Sequence, residues 1–342
     1  MRNLTLLIPG LFGPRGAFTS EYIPQLDSLE KLMGRARCQA LRENNYYRQA
    51  ASLMQLESDP LQDLPVAAVT RLIDEHEPPQ GVWLRADPVH LAPDRDRLLL
   101  IEPFAFELNQ HDALAVAAEV GLVLQHHGWR LEAPHTRRWY IRFDKRPDLL
   151  TTDIKTVAGQ DINQYLPTGS DARKFHQVMN EVQMQLHESD INRERAARNE
   201  VPVNSIWFWG LGGIPAILDR AWSTVYCNDD FINGLAMLSA TPCRQVARDI
   251  SMVLDNHPEN ALLLVVLDHC HTCSQYQDLE NWYQNLLNLD DDWFSGILDA
   301  MQEGVLDEVT LITGNMEFNV NKMALRKFWR RPKTLEHFMH PR

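Results

Sequence analysis

The sequence predicts an α/β fold, a mostly parallel sheet flanked by helices and interrupted by an inserted α+β segment. Three observations predict it. Short apolar runs alternate with stretches of helical periodicity, the order expected of parallel strands joined by crossover helices. The run Ala261 to Leu267 is apolar throughout, as a strand covered on both faces must be. Between His76 and about residue 145 the order changes to strand, strand, helix, strand, strand, and the change is introduced by the pair Pro78-Pro79.

Leu4 to Ile8 is the first strand, and it empties into the turn Pro9-Gly10-Leu11-Phe12-Gly13. The inserted segment supplies the strands Gly81 to Ala86, Arg97 to Ile101, Trp129 to Glu132 and Trp139 to Phe143. Its helix runs from Asp112 to Gln125, with Asn109 as the cap and Gly128 just past the end. Next, Phe175, Val178, Met179, Val182 and Leu186 recur at helical spacing after the cap candidate Ser170. After Ser205 to Trp209 the fully apolar strands return with Thr224 to Cys227, Ala261 to Leu267 and Val309 to Thr313. Leu279, Trp282, Tyr283, Leu286, Trp293, Ile297 and Met301 predict one long or broken helix before the last strand. The expected division is a discontinuous core, 1–78 with 202–330, an inserted α+β domain over 79–201 that resembles a lid, and a basic tail over 331–342.

Composition narrows the function classes. The 342 residues are 44% hydrophobic, enough for a sizeable core, and no apolar run approaches the roughly 20 residues of a membrane-spanning helix. No secretory h-region or cleavage site follows Arg2, so the expected location is the cytoplasm, with no membrane partner. Five cysteines in such a chain are expected as free thiols. A net charge of −13 argues against a nucleic-acid partner. The one basic patch, Lys322 to Lys333 around Phe328 and Trp329, is read as an amphipathic helix whose cations suit its carboxyl end.

Leu267 to Cys273 (LDHCHTC) holds the densest chemistry. Asp268, His269, Cys270, His271 and Cys273 are all metal-ligand types, yet neighbours on an extended strand end point opposite ways, so they are weak candidates for a shared ion. Arg85 and Asp87 fall on one face of a strand read as ending at Pro88. The Arg85 fork suits a phosphate or carboxylate ligand, or simply Asp87. Gly210, Gly212 and Gly213 lack dinucleotide-binding spacing, and no G-x-S-x-G, Walker A or H-E-x-x-H pattern occurs.

The segments Gly159 to Gly169 (GQDINQYLPTG), Asn192 to Arg195 (NRER) and Asn204 to Gly210 (NSIWFWG) occur in the order found in archaeal-type cofactor-independent phosphoglycerate mutases, and the chain resembles that family over this stretch. WLRADP (Trp83 to Pro88), YIPQLDSLEKL and the helix around Asp278 to Met301 add weaker likeness. WLRADPVHL and PVNSIWFWG are closer still to a bacterial group of RpfE-type regulatory, phosphoglycerate-mutase-like proteins. The resemblance implies an alkaline-phosphatase-like core with an inserted lid. In active members of that superfamily two divalent metals, held by carboxylates and histidines, serve a Ser or Thr nucleophile.

Transferred position by position, that pattern is interrupted. Pro9 stands where the resemblance places the first metal-binding Asp, and His271 and Gln275 fall on its Asp-x-x-x-His pair. Asn315 and Met316 fall on its last Asp-His pair, and the nucleophile segment offers only Ser58 and Thr70, neither a convincing match. These lost positions make catalysis unexpected, so no catalytic residue and no cofactor are expected. Arg85, Asn192, Arg195 and Asn204 match the family's ligand side, and Lys155 replaces a charged position there, which makes these five the ligand-binding candidates. The expected function is that of a catalytically degenerate, mutase-like regulatory protein binding a small phosphorylated or anionic ligand, or a protein partner. The rival is an active mutase or phosphatase-like hydrolase that uses Mn or Zn.

Overall fold

A computed structural model describes residues 2–14, 23–326 and 332–339. The chain divides into two compact units, Met1–Leu56 with Ile217–Arg342, and Glu57–Ala216. The division falls at 56/57 and 216/217 rather than at 78/79 and 201/202, because the helix Val66–Glu75 and a strand read as core both pack on the second unit's sheet.

Twelve strands are present among the described residues: β1 (Asn3–Leu7), β2 (Arg37–Ala40), β3 (Val82–Asp94), β4 (Arg97–Ile101), β5 (Leu131–His135), β6 (Arg138–Phe143), β7 (Ser205–Gly212), β8 (Thr224–Tyr226), β9 (Cys243–Arg244), β10 (Leu262–Val266), β11 (Glu308–Thr313) and β12 (Met316–Asn321). The first unit holds a seven-stranded sheet in the order β2-β12-β11-β1-β10-β8-β9. Its five strands from β11 through β9 run parallel, and the β12 and β2 edge is antiparallel. β1 lies at the centre, with Leu7 level with Val266 on one side and Ile312 on the other. Burial on both faces explains why β10 is apolar throughout, whereas in β1 the half-exposed Asn3 and Thr5 alternate with the buried Leu4 and Leu6.

The run expected as one helix before β11 is continuous but not uniform. An α-helix Leu279–Leu289 passes through a π segment, Asp290–Phe294, into Ser295–Glu303. The π segment aims Asp290 at the start of the helix Asp27–Arg35, where its carboxylate accepts the Ser28 and Leu29 amides at 3.2 and 2.7 Å. Residues 332–339 are no free tail: Leu335 and Phe338 join the core, and Phe338 meets Phe318 edge-on at 5.0 Å. Lys327 to Arg331, the middle of the basic patch, lie outside the described residues.

The second unit is an antiparallel sheet, β4-β3-β6-β5, with β7 also paired to β3. β3 continues through Pro88 instead of stopping there. Pro88 falls where β3 changes partners on one side, from β6 through Arg85 to β4 from His90, so its missing N–H interrupts no ladder. On its other side β3 pairs with β7. β7 is buried along its whole length because the helices Val66–Glu75 and Ala172–His187 pack on it. An all-apolar strand was thus read as part of the parallel core, although it belongs to a covered antiparallel sheet. Trp129, Phe143, Phe175 and Phe208 form an aromatic cluster there, with Trp129 and Phe175 at 4.6 Å. The helix Gln110–His126 is capped by Asn109, as expected, whereas Ala172–His187 begins after Asp171 rather than Ser170.

Candidate functional site

Parallel sheets present their chemistry at the carboxyl ends of their strands. In the first unit β1, β10 and β11 run level, so their continuations Pro9-Gly10, Asp268 to His271 and Gly314-Asn315 emerge together. Pro9, His271 and Asn315 therefore lie along one edge of this sheet. Pro9 is buried, and Gly10 turns with φ +78 directly against the β10 continuation. A methyl group on Gly10 would lie 2.5 Å from the Cys270 carbonyl oxygen. The Gly10 carbonyl also accepts the Trp282 indole N–H at 3.0 Å and the Gly13 amide at 2.9 Å. Gly10→Ala is accordingly expected to cost about 2 kcal/mol through its left-handed backbone and the contact, read as a lower urea midpoint.

Asn45 accepts the Arg48 amide and caps the helix Tyr46–Leu53. That cap places the Tyr46 ring in a stack on His271 at 5.5 Å. Burial pushes the Tyr46 hydroxyl well above its ordinary range, and the charges of Asp229 and Asp268 push it further. Asp229 itself caps the helix Asp230–Leu238 through the Phe231 and Ile232 amides. Tyr46 and Asp229 were missed by the sequence reading. The only local signal for either was a helix-cap pattern, since no spacing linked them to the strand end.

Asn315 occupies a two-residue hairpin turn with Gly314, and Met316 opens the antiparallel β12. The place the family pattern gives to an Asp-His pair is thus a tight β11–β12 turn, whose Asn315 carbonyl accepts the Leu41 amide. Gln275 ends the short helix His271–Gln275. The Thr313 hydroxyl is buried at this edge without a hydrogen-bond partner among the described residues.

Asp268 and His271 both approach Tyr46, whereas Cys273 turns to the His269 carbonyl. Cys270 is buried and its thiol is pushed up to about 12 by desolvation. Cys273 meets the His269 carbonyl and the Asn285 amide, while His271 faces Tyr46. Among the described residues no three His, Cys, Asp or Glu side chains are grouped so as to hold a metal ion. The donor set therefore does not fit the two-metal centre that the resemblance implies.

Arg85, Asn192, Arg195 and Asn204 make side-chain hydrogen bonds within the second unit. Arg85 forms a buried fork with Asp87, Nε to Oδ1 at 2.8 Å and Nη2 to Oδ2 at 2.7 Å, and its remaining nitrogen reaches the Thr70 hydroxyl at 3.1 Å. The rings of Trp209 and Tyr140 flank it at 4.9 and 5.4 Å. Trp209 also donates to Asp87 at 2.8 Å. Arg195, fully buried, reaches Asp112 at 2.6 Å and the carbonyls of Glu107 and Val201. Asn192 spans the Leu186 and Val203 carbonyls and accepts the Val203 amide; Asn204 brackets Leu91 in the same way. These side chains tie together neighbouring strands, helices and loops of the second unit. Thr70 is a buried helix residue donating to the Val66 carbonyl, and Ser58 is exposed. The fifth candidate, Lys155, is half-buried within charge range of Glu102, whose carboxyl desolvation pushes up to about 7.

No family model matches the chain. Short stretches are similar to 2,3-bisphosphoglycerate-independent phosphoglycerate mutases. One, described as probable, is from Geobacter sulfurreducens and is 39% identical over 59 residues, 17% of this chain and 15% of that protein. Another is from Methanothrix thermoacetophila, 33% identical over 70 residues, 20% of this chain and 18% of that protein. A third, from Methanosarcina mazei, is 34% identical over 59 residues, 17% and 15% of the two chains. The matched stretch thus spans under a fifth of each curated relative. Among solved structures, a cofactor-independent phosphoglycerate mutase from Thermoplasma acidophilum aligns at 15% identity and TM-score 0.40, covering 93% of this chain and 88% of that one. A protein from Pyrococcus horikoshii aligns at 10% identity and TM-score 0.49, covering 93% and 87%.

Proposed function

We propose that this chain is a catalytically degenerate relative of the cofactor-independent phosphoglycerate mutases, with an alkaline-phosphatase-like core, that acts in regulation by binding a small anion or a protein partner. The observation that carries the reading is the carboxyl edge of the parallel sheet. Where the family pattern calls for metal-binding carboxylates and imidazoles, this edge offers a proline, a two-residue hairpin turn and a histidine stacked on a tyrosine. Without grouped ligands there is no Lewis acid to polarise a phosphoryl group and nothing to ionise a hydroxyl nucleophile at neutral pH. The anionic-ligand part of the reading draws on Arg85, Lys155, Asn192, Arg195 and Asn204, the positions that match the ligand side of the family pattern. Assignment to the RpfE-type regulatory group belongs to the same proposal. It draws on WLRADPVHL and PVNSIWFWG, in which Arg85, Asp87 and Trp209 form a buried hydrogen-bonded set and Asn204 brackets Leu91 of β3.

Metal analysis of the purified protein, run beside a phosphoglycerate interconversion assay with added manganese, tests the reading. The expected result is no stoichiometric manganese or zinc and no turnover above buffer. Stoichiometric metal together with turnover abolished in His271→Ala would overturn it in favour of a metal-dependent mutase or hydrolase. Among the described residues no helix is long and apolar enough to cross a membrane, so membrane anchoring by such a helix forms no part of the proposal.

A further inference from the structure

The first unit contains a thiol pair that neither the sequence motifs nor the mutase-like reading uses. Cys227 follows β8 and Cys243 opens β9, the strand at the sheet's edge. Parallel pairing sets Val225 opposite Cys243, and the Cys227 amide donates to the Arg244 carbonyl at 2.9 Å, so both backbones are fixed by the same ladder. The two sulfurs lie 3.7 Å apart. Both sulfurs also lie within hydrogen-bond reach of one acceptor, the Asn233 side-chain oxygen, at 3.3 Å from Cys227 and 2.8 Å from Cys243. Asn233 is in turn set by the helix Asp230–Leu238, whose start Asp229 caps. This arrangement brings together two soft nucleophiles of unequal access, because Cys227 is buried and Cys243 half-exposed.

We propose that Cys227 and Cys243 form a reversible dithiol–disulfide site whose oxidant is a low-molecular-weight disulfide of the glutathione class. A disulfide needs its sulfurs at about 2.05 Å, so closure asks for an approach of under 2 Å. Cys243 is the attacking group on access alone, and the hydrogen bond from Cys227 also holds its thiol below the ordinary range. Burial and the neighbouring sulfur push the Cys227 thiol up, so its closeness to Cys243 Sγ, not its acidity, carries the second step. In the first step the Cys243 thiol loses its proton to water, and its sulfur attacks one sulfur of the small disulfide. An S–S bond forms to Cys243 as the original S–S bond breaks, and one small thiolate leaves. Cys227 then gives up its proton and attacks Cys243 Sγ, displacing the second small thiolate. Two protein thiols are oxidised and one small disulfide is reduced to two thiols, so electrons and protons balance.

The C-x-x-C pair is the obvious competitor, but the Cys273 sulfur turns to the His269 carbonyl and the Asn285 amide. Cys38 is exposed on β2 and is suited only to a mixed disulfide or a link between molecules.

The test uses the full chain, reduced, freed of reductant, incubated with oxidised glutathione, quenched with an alkylating agent and peptide-mapped. The expected outcome is a Cys227–Cys243 cross-linked peptide in unmutated protein, reversed by dithiothreitol, with two of the five thiols lost to it. Cys227→Ser should halt at a glutathione adduct on Cys243, and Cys243→Ser should leave Cys227 alkylatable. All five thiols still alkylated, a stable adduct on Cys243 with no cross-link, or a link confined to Cys270 and Cys273 would each overturn the proposal. Because the map of the unmutated chain decides the matter, a variant that folds poorly leaves the test intact. Metal content and mutase turnover do not enter the readout, so its failure is distinct from failure of the functional reading.

Discussion

Arg85→Met is expected to lower the unfolding free energy by about 3–5 kcal/mol, the usual cost of leaving a buried charge without its partner. Asp87 is 1% exposed and accepts both guanidinium nitrogens, with the Trp209 indole and the Trp139 amide as its remaining donors. Removing the cation leaves a carboxylate in an apolar lattice with two neutral donors, too few to replace water. Urea unfolding followed by tryptophan fluorescence reads the loss as a lower midpoint. The double variant Arg85→Met with Asp87→Leu is expected to recover most of it, since neither charge remains to be desolvated. Equal losses in single and double variants would show that packing of the arginine stem, not the ion pair, carries the effect.

Glu102→Gln is expected to change how stability depends on pH. Glu102 is 5% exposed, and burial raises its carboxyl from 4.5 to about 7; Lys155 opposes this, while Asp87 and Asp153 add to it. In the unfolded chain the group ionises near 4.5, but in the fold it stays protonated until about 7. The unfolded state therefore loses its proton first, and stability falls as pH rises through that window. The gap between 4.5 and about 7 corresponds to roughly 3 kcal/mol at most, fully present below pH 4.5 and gone above pH 7. Glutamine carries no charge in either state, so the variant is expected to gain on the unmutated chain steadily between pH 5 and 8. Parallel stability curves across that range would mean that Glu102 ionises normally inside the fold.

The elements legible in the sequence were those whose burial matched their period. β10 was evident because both its faces are covered, β1 because its leucines fill the buried positions, and the helix Gln110–His126 because Asn109 and Gly128 mark its ends. β2 was not legible: all four of its residues are exposed and its order comes from pairing with β12, a tertiary cause that leaves no local pattern. β7 was legible as a strand but not as to its sheet, because an apolar run reports two covered faces and nothing about what covers them. At the candidate site, the Arg85 and Asp87 pair could be read from their two-residue spacing. The occupations of Arg195 and Asn204 could not, since their partners include Glu107 and Leu91, far away in sequence and mostly backbone carbonyls. Tyr46 lies beside His271 through a fold contact spanning most of the chain.

The central position of β1 bears on the order in which the protein can be made. Asn3 pairs with Leu262 and Glu308, so β1 has no sheet neighbours until residues far along the chain have been synthesised. The 57–216 unit draws its entire sheet from one continuous stretch and can close while β1 is still waiting. During that interval Leu4, Leu6, Leu7 and Ile8, all buried in the finished fold, are exposed on a nascent chain. Holding that segment apart from other apolar chains is a task for the cell rather than for the fold.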